Sequence, residues 1–434
     1  MKPTSTLADR ARLLQPTPGS VSGGRLFERS LTRVAETGLR ARLATLEHGQ
    51  IILVDQDRHD TFGRASERCA LRCTITVRQP SFYTEVAFGG SVGAGESFMA
   101  GAWSCDDLTA LVRILLINRG VLDGLDTGLS RIAEPARRAL HALARNSRTG
   151  SRRNIAAHYD IGNDFFEAFL DPTMMYSCAV FESPETSLEQ AQIAKLDRIC
   201  RKLDLKPDDH LLEIGTGWGA LAIHAASRYG CRVTTTTISR EQHALAAERI
   251  AAAGLGERIT LLGDDYRDLA GQYDKLVSIE MIEAVGHHYF DTFFRRCGEL
   301  LRPGGTMLLQ SITIDDRRYE SARDSVDFIK RHIFPGCCIP SMGAISRSVA
   351  RASTLGIVDV EDIGPHYATT LAAWRENMFA NLEQIRQAGY PDTLVRMWHF
   401  YLAYCEGGFA ERALGNLQIV MQDTRRAVNP PPRV

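Results

Sequence analysis

Three glycines stand at alternate positions in LLEIGTGWGALA, residues 211–222, just after a short apolar run and just before a helix-like stretch. Gly215, Gly217 and Gly219 leave part of a strand-to-helix turn without side chains, so a ligand can come close to the backbone there. A dinucleotide-binding turn has the spacing GxGxxG, with a carboxylate for the ribose about 20 residues on. Here the spacing is GxGxG, and the next strand pattern ends in Thr236, Thr237 and Ile238 with no carboxylate. The phosphate-binding pattern GxxxxGK followed by Ser or Thr is also missing. These residues rule against a nicotinamide dinucleotide and a nucleoside triphosphate. Alone, such a turn is also compatible with a purely structural role.

The elements around the turn supply its context. From about residue 207, strand patterns LLEI, CRVTTTTI, RITLL, KLVSI and TMLLQSI alternate with helical patterns ALAIHAASRYG, EQHALAAERIAAAG and FDTFFRRCGELL. The sequence RPGG breaks the pattern before the last of these strands. Such alternation predicts an α/β fold with a parallel, doubly wound sheet, whose ligand lies outside the carboxyl ends of the strands. Before it, LRCTITVR alternates apolar Leu71, Cys73, Ile75 and Val77 with polar neighbours, the period of a strand with one wet face. Glycines 89, 90, 93, 95 and 101 are read as turn punctuation, followed by a helix from about Asp106 to Ile117. The chain then divides into a loose Pro/Ser/Gly-rich tail over 1–24, a small mixed domain over 25–130, a basic linker over 131–157 and a large domain over 158–425.

Composition is that of a globular protein, 44% hydrophobic and 24% charged with a formal net charge of −1, and offers no global attraction for nucleic acid. Between Arg131 and Arg153 lie seven arginines and one acidic residue, Glu134. That stretch reads either as a basic segment touching anionic lipid headgroups or as a solvated linker. The first residues lack the apolar core of a signal peptide, and the run LTALVRILLI is too short and too charged to span a bilayer, so a soluble protein is expected. Ten cysteines without repeated CxxC pairs fit reduced thiols better than a disulfide framework or a zinc site.

EIGTGWG resembles the first motif of class I S-adenosylmethionine-dependent methyltransferases, whose ligand has an amino-acid tail and a nucleoside but no phosphates. Further segments occur in order: HYDIGNDFFEAFLDPTMMYSCAVFE, TISREQ, DDYRDL, EMIEAVGHHYF, DFIKRHIFPGCCIPS, HYATTLAAW and YLAYCEGGFAERALGNLQIV. Together, over about residues 155–420, they resemble the cyclopropane-fatty-acyl-phospholipid synthase family, and GESFMAGAWSCDDLTAL resembles the small lipid-engaging domain of its long members. The resemblance implies a Rossmann-like methyltransferase sheet with a helical lid, plus an N-terminal α+β lipid-engaging domain. It also implies methyl transfer from S-adenosylmethionine to the cis double bond of a phospholipid acyl chain, with closure of a three-membered ring and a bound bicarbonate as base.

Carried over residue by residue, the resemblance assigns Cys178, Glu283 and Tyr367 to the bicarbonate, with Gln310, Ile312 and Cys405 in the same catalytic set. Glu283 would accept from the bicarbonate, Cys178 and Tyr367 would donate to it, and Cys405 reads as structural, since the mechanism needs no covalent thiolate. Cofactor positions are Tyr176, Ser177, Glu213, Gly215, Thr216, Gly217, Trp218, Gly219, Thr237, Gln242, Asp265 and Tyr266. Gln242 would be a neutral ribose partner, and Asp265 and Tyr266 would flank the adenine. His158 and Tyr159 are expected to line the substrate. Glu280, one helical turn from Glu283, is either a supporting partner or a solvated carboxylate. Gln310 is a departure, because many bacterial members have a histidine there, and an amide cannot titrate. Members of the wider family also stop at methyl- or methylene-branched chains, so that product stays open. Unsaturated phospholipids at the inner face of the membrane are the expected partners of a cytoplasmic, peripherally bound enzyme, with a homodimer possible through avidity.

Overall fold

The computed structural model describes residues 22–121 and 161–425, and they group into two compact units. The basic linker, most of the tail, His158 and Tyr159 lie outside the described residues. The first unit also takes in Thr393–Phe400, which falls within the span 158–425 read from the sequence as the catalytic domain.

The first unit is a four-stranded sheet with helices. Its strands are β1 (Gly49–Asp55), β2 (Arg58–Arg64), β3 (Arg72–Val77) and β4 (Trp103–Cys105), in the order β2-β1-β3-β4. On β3 the expected alternation holds, with Cys73, Ile75 and Val77 buried and the residues between them more open. The helix expected near Asp106 runs Leu108–Ile117, and the Asp107 carboxylate caps it by accepting from the Ala110 N–H. A first helix begins at Ser22, inside the segment read as tail. The glycines read as turns need correction: Gly89, Gly93 and Gly95 lie within the helix Ser81–Met99, which is interrupted at Gly90 with φ 57°. Close packing explains Gly93, since a Cβ there would stand 1.9 Å from the Glu85 carbonyl oxygen.

In the second unit β5 (His210–Ile214), β6 (Arg232–Thr236), β7 (Ile259–Leu262), β8 (Tyr273–Ile279) and β9 (Leu301–Ile314) are parallel. Two strands not anticipated, β10 (Leu355–Asp362) and β11 (Leu414–Asp423), join antiparallel, giving the order β10-β11-β9-β8-β5-β6-β7. The sheet is therefore mixed rather than wholly parallel. RPGG does not precede β9 but is looped out within it: Leu301 pairs with Tyr273, and pairing resumes at Thr306 with Lys275. The parallel strands are buried on both faces, between one cluster containing Phe293, Phe294 and Leu309 and another containing Leu211, Val233 and Leu308. Helix starts follow their caps: Ser187 and Gln190 form a reciprocal box, and Ser239 and Ser341 each accept from a backbone N–H three residues on.

Phe293 is wholly buried in the first of these clusters. Phe293→Ala should cost about 3–5 kcal/mol, seen as a lower urea midpoint at unchanged slope; an unmoved midpoint would contradict this packing.

Candidate active site

The glycine turn leaves the end of β5 in a left-handed backbone. Gly215, Gly217 and Gly219 have φ of 105°, 54° and 90°, which side chains disfavour. The N–H groups of Gly215 and Thr216 both donate to the Thr236 carbonyl, pinning the turn to β6. A Cβ at Gly217 would meet nothing within 4 Å, so the turn faces open space. Beneath it, Thr235 donates to Glu213 at 2.6 Å, and the Thr216 and Thr235 hydroxyls lie 2.6 Å apart. Burial pushes the Glu213 carboxyl up to about 8. Trp218 contributes backbone to the turn, but its indole packs on Phe166 and donates to Asn163, inside the core.

Further along the strand ends, Thr237 donates to the Gln242 side-chain oxygen at 2.9 Å, which leaves the Gln242 NH2 to meet a hydroxyl. Asp265 is held by its near neighbour Arg267, whose guanidinium also lies over the Tyr266 ring. The Tyr266 hydroxyl is buried without a partner. Tyr176 stacks on Trp374 and donates to the Tyr401 hydroxyl, and Ser177 accepts from Lys195 at 2.7 Å.

Three of the six expected catalytic residues, Cys178, Gln310 and Tyr367, converge, but on a centre that the sequence left undecided. Glu280, directly after β8, receives the Cys178 N–H at 3.0 Å, the Gln310 amide at 2.9 Å and the Asn416 amide at 2.6 Å, all on Oε1. Its Oε2 receives the Tyr367 hydroxyl at 2.6 Å. Glu283 is separate: its Oε1 accepts from the Ser311 hydroxyl and, at 2.6 Å, from the Ile312 N–H. Its Oε2 is buried without a partner. Burial, and then the charge of Glu280, push the Glu283 carboxyl up to about 8. The same two causes hold the Cys178 thiol and the Tyr367 hydroxyl well above their ordinary values, so both stay protonated. The Cys178 thiol faces the carbonyls of Ala179 and Ile363, and what Cys178 gives the centre is its backbone N–H. Cys405, on the helix Asp392–Ala410, makes no hydrogen bond to this centre, and burial raises its thiol too.

Residues 146–419 match the family described as mycolic acid cyclopropane synthetase. The chain belongs to this family. It is 42% identical over 328 residues to the tuberculostearic acid methyltransferase UfaA1 of Mycobacterium tuberculosis, covering 74% of this chain and 76% of that one. It is 38% identical over 350 residues to the cyclopropane-fatty-acyl-phospholipid synthase of Escherichia coli K12, covering 80% and 87%. The solved structure of the mycolic acid cyclopropane synthase CmaA1 complexed with SAH and CTAB matches at TM-score 0.58 and 32% identity, over 62% of this chain and 98% of that one. As a mycolic acid cyclopropane synthetase family member, the chain is an S-adenosylmethionine-dependent lipid methyltransferase with the α/β fold expected. The left-handed glycine turn with open space at Gly217, and the amide of Gln242, fit a methionine tail and a ribose.

Sequence reasoning missed three buried polar residues around this centre. Asn416 and Gln418 are wholly buried on β11, and Gln418 donates to the Gln310 oxygen at 3.1 Å. Two buried amides in the apolar run LGNLQIVM were the available signal. Lys195 is wholly buried on the helix Leu188–Lys202, and burial brings its ammonium down to about 8 against the opposing pull of Glu280.

Gly217→Val places a β-branched residue at φ 54° and should weaken S-adenosylmethionine binding at least about tenfold. Calorimetric titration checks this; unchanged affinity would put the cofactor elsewhere. Glu213 binds its proton more tightly folded than unfolded, where the ordinary value is 4.5. Its contribution to stability is therefore full below 4.5 and lost as pH rises through about 8. In Glu213→Gln, unfolding midpoints should fall less than wild type between those limits; parallel curves would contradict the shift.

Proposed function

We propose that this methyltransferase adds a methyl to the cis double bond of an unsaturated phospholipid acyl chain at a membrane surface and closes a cyclopropane ring. One observation carries the reading. A Cβ at Gly215 would stand 3.4 Å from the Met281 side chain, so the residue after Glu280 packs on the glycine turn. With the methyl donor on the glycine turn, the acidic centre would lie beside it, where a base could reach the methyl once it has been added.

When bound, S-adenosylmethionine supplies a methyl whose bond to positively charged sulfur breaks, the pair staying on sulfur, while the alkene π pair forms the new carbon–carbon bond. The acyl chain is left as a cation. Loss of a proton from the added methyl, with its C–H pair closing the ring, completes the balance. The residues' task is to exclude water and to hold a proton acceptor. Bicarbonate, the base implied by resemblance, would need donors from Cys178, Ile312, Gln310 and Tyr367. The Cys178 and Ile312 N–H groups, the Gln310 amide and the Tyr367 hydroxyl are all bonded to Glu280 or Glu283 already. Of these residues, only Glu283 Oε2 is left without a partner to meet bicarbonate, so the donors present do not fit a further anion.

A second reading, a methyl- or methylene-branched product, draws support from the 42% identity to a protein named tuberculostearic acid methyltransferase. Both readings are tested by incubating the purified chain with S-adenosylmethionine and dioleoyl phospholipid vesicles, then fragmenting the recovered acyl chains to locate the added carbon. A ring across the former double bond is the expected result. An exocyclic branch would select the second reading, and S-adenosylhomocysteine formed without any modified acyl chain would reject both.

A further inference from the structure

We propose that Glu280 is the resident anion and proton acceptor of this site, so that turnover needs no bicarbonate; the proposal rests on the alkene methylation above. Four segments distant in sequence converge on its carboxylate: the loop at Cys178, β9 at Gln310, the helix Gly364–Ala380 at Tyr367, and β11 at Asn416.

The backbone gives a second, independent indication. Glu280 has φ 47°, a left-handed conformation that a residue with a long side chain adopts only when its surroundings impose it. A glycine would fit there without strain. The strain instead aims a carboxylate into the donor set, while the Glu280 N–H still bonds the Gln310 carbonyl at 2.7 Å and so extends the β8–β9 ladder.

The distribution of donors separates the two oxygens. Oε1 carries three and is saturated, whereas Oε2 carries only the Tyr367 hydroxyl and keeps lone-pair capacity for an incoming proton. Cys178, Gln310 and Asn416 are wholly buried and Glu280 is only partly so. Glu280 is thus the least enclosed residue of the centre. Acidity is not limiting, because a carbon cation sheds its proton to even a weak base. What the step requires is an anion fixed in a place without water, and hydrogen bonds on the carboxylate curb its own attack on the cation. A bicarbonate beside Glu280 would add like charge to a site where Glu283 is already pushed toward its neutral form.

In the step itself, a C–H bond of the added methyl breaks, its pair forms the second ring bond, and the proton passes to Glu280 Oε2. The test uses the full chain, S-adenosylmethionine and dioleoyl phospholipid vesicles in buffer purged of carbon dioxide under argon, with and without added sodium bicarbonate. Wild-type turnover should change by less than about twofold on adding bicarbonate. Glu280→Gly, which relieves the left-handed strain, and Glu280→Gln, which keeps the size, should bind S-adenosylmethionine as wild type does. Both should lose about 100-fold or more in turnover, and bicarbonate should restore part of the loss in the glycine variant, whose space is open. Wild-type activity that depends on bicarbonate would overturn the proposal, as would either variant turning over normally in purged buffer. A wild type that modifies no acyl chain in either buffer would instead overturn the alkene reading, and this proposal with it.

Discussion

Removing a carboxylate from water costs several kcal/mol unless hydrogen bonds replace what water supplied. Glu280 meets that requirement with donors from one loop, two strands and one helix, and the local architecture of the site follows. Because β11 lies antiparallel against β9, Gln418 pairs with Gln310 and Asn416 with Ile312, which brings the Asn416 amide to the end of β8. Were β11 shifted by one residue, leucine or glycine would replace Asn416, and the carboxylate would lose a donor. The two antiparallel strands are thus as much part of the chemistry as the parallel ones.

One negative charge also fixes the proton states around it. It helps to keep the Tyr367 hydroxyl and the Cys178 thiol protonated and the Glu283 carboxyl mostly neutral near pH 7, while it opposes the loss of charge from buried Lys195. A deprotonated thiol here would be a buried anion turned toward the Ala179 and Ile363 carbonyls, and an ionised Glu283 would be a second carboxylate without a partner for Oε2. Suppressing both leaves a site with few competitors for the methyl or the cation. The thiol's neutrality comes first from burial and second from Glu280, so a change that only admitted water would also weaken it.

What the sequence disclosed and what it hid divide along a physical line. The glycine turn was legible because left-handed backbone needs glycine at set intervals after a strand, a local requirement. The five parallel strands were legible as apolar runs alternating with helices. Residues 176–178, Glu283, Gln310 and Tyr367 were found through resemblance, and the structure brings Cys178, Gln310 and Tyr367 to one centre with Glu283 three residues away in sequence. Glu280 stayed undecided because its meaning lies in partners as far away as residue 416, which no local pattern encodes. Asn416 and Gln418 sit in a short apolar run that looks like any edge of a core, and only strand pairing shows what they face. Gly93 misled for a related reason, since its cause is a close approach across a kinked helix rather than a turn.

Survival of an alkyl cation long enough to lose a proton, rather than gain water, depends on the surfaces near the anion as much as on the anion. Residues 176–178 connect the two. The Cys178 N–H holds Glu280, while two residues earlier the Tyr176 ring lies 5.2 Å from that of Trp374 and 5.4 Å from that of Phe166. Aromatic faces stabilise positive charge without offering a lone pair that can bond to it. The Tyr176 hydroxyl, the one polar atom of that ring, is occupied by Tyr401 at 2.9 Å. A chain threaded along this segment would pass from an aromatic surface, which tolerates the cation, to a carboxylate, which ends it. The choice between ring and branch then turns on when the added methyl loses its proton: with the charge still on the neighbouring carbon the C–H pair closes the ring, whereas after a 1,2-hydride shift to that carbon the same loss leaves a methylene branch. An acceptor held against the methyl favours the ring only while it takes the proton before that shift, and a displacement of about 1 Å already changes rates about 100-fold in positioned reactions.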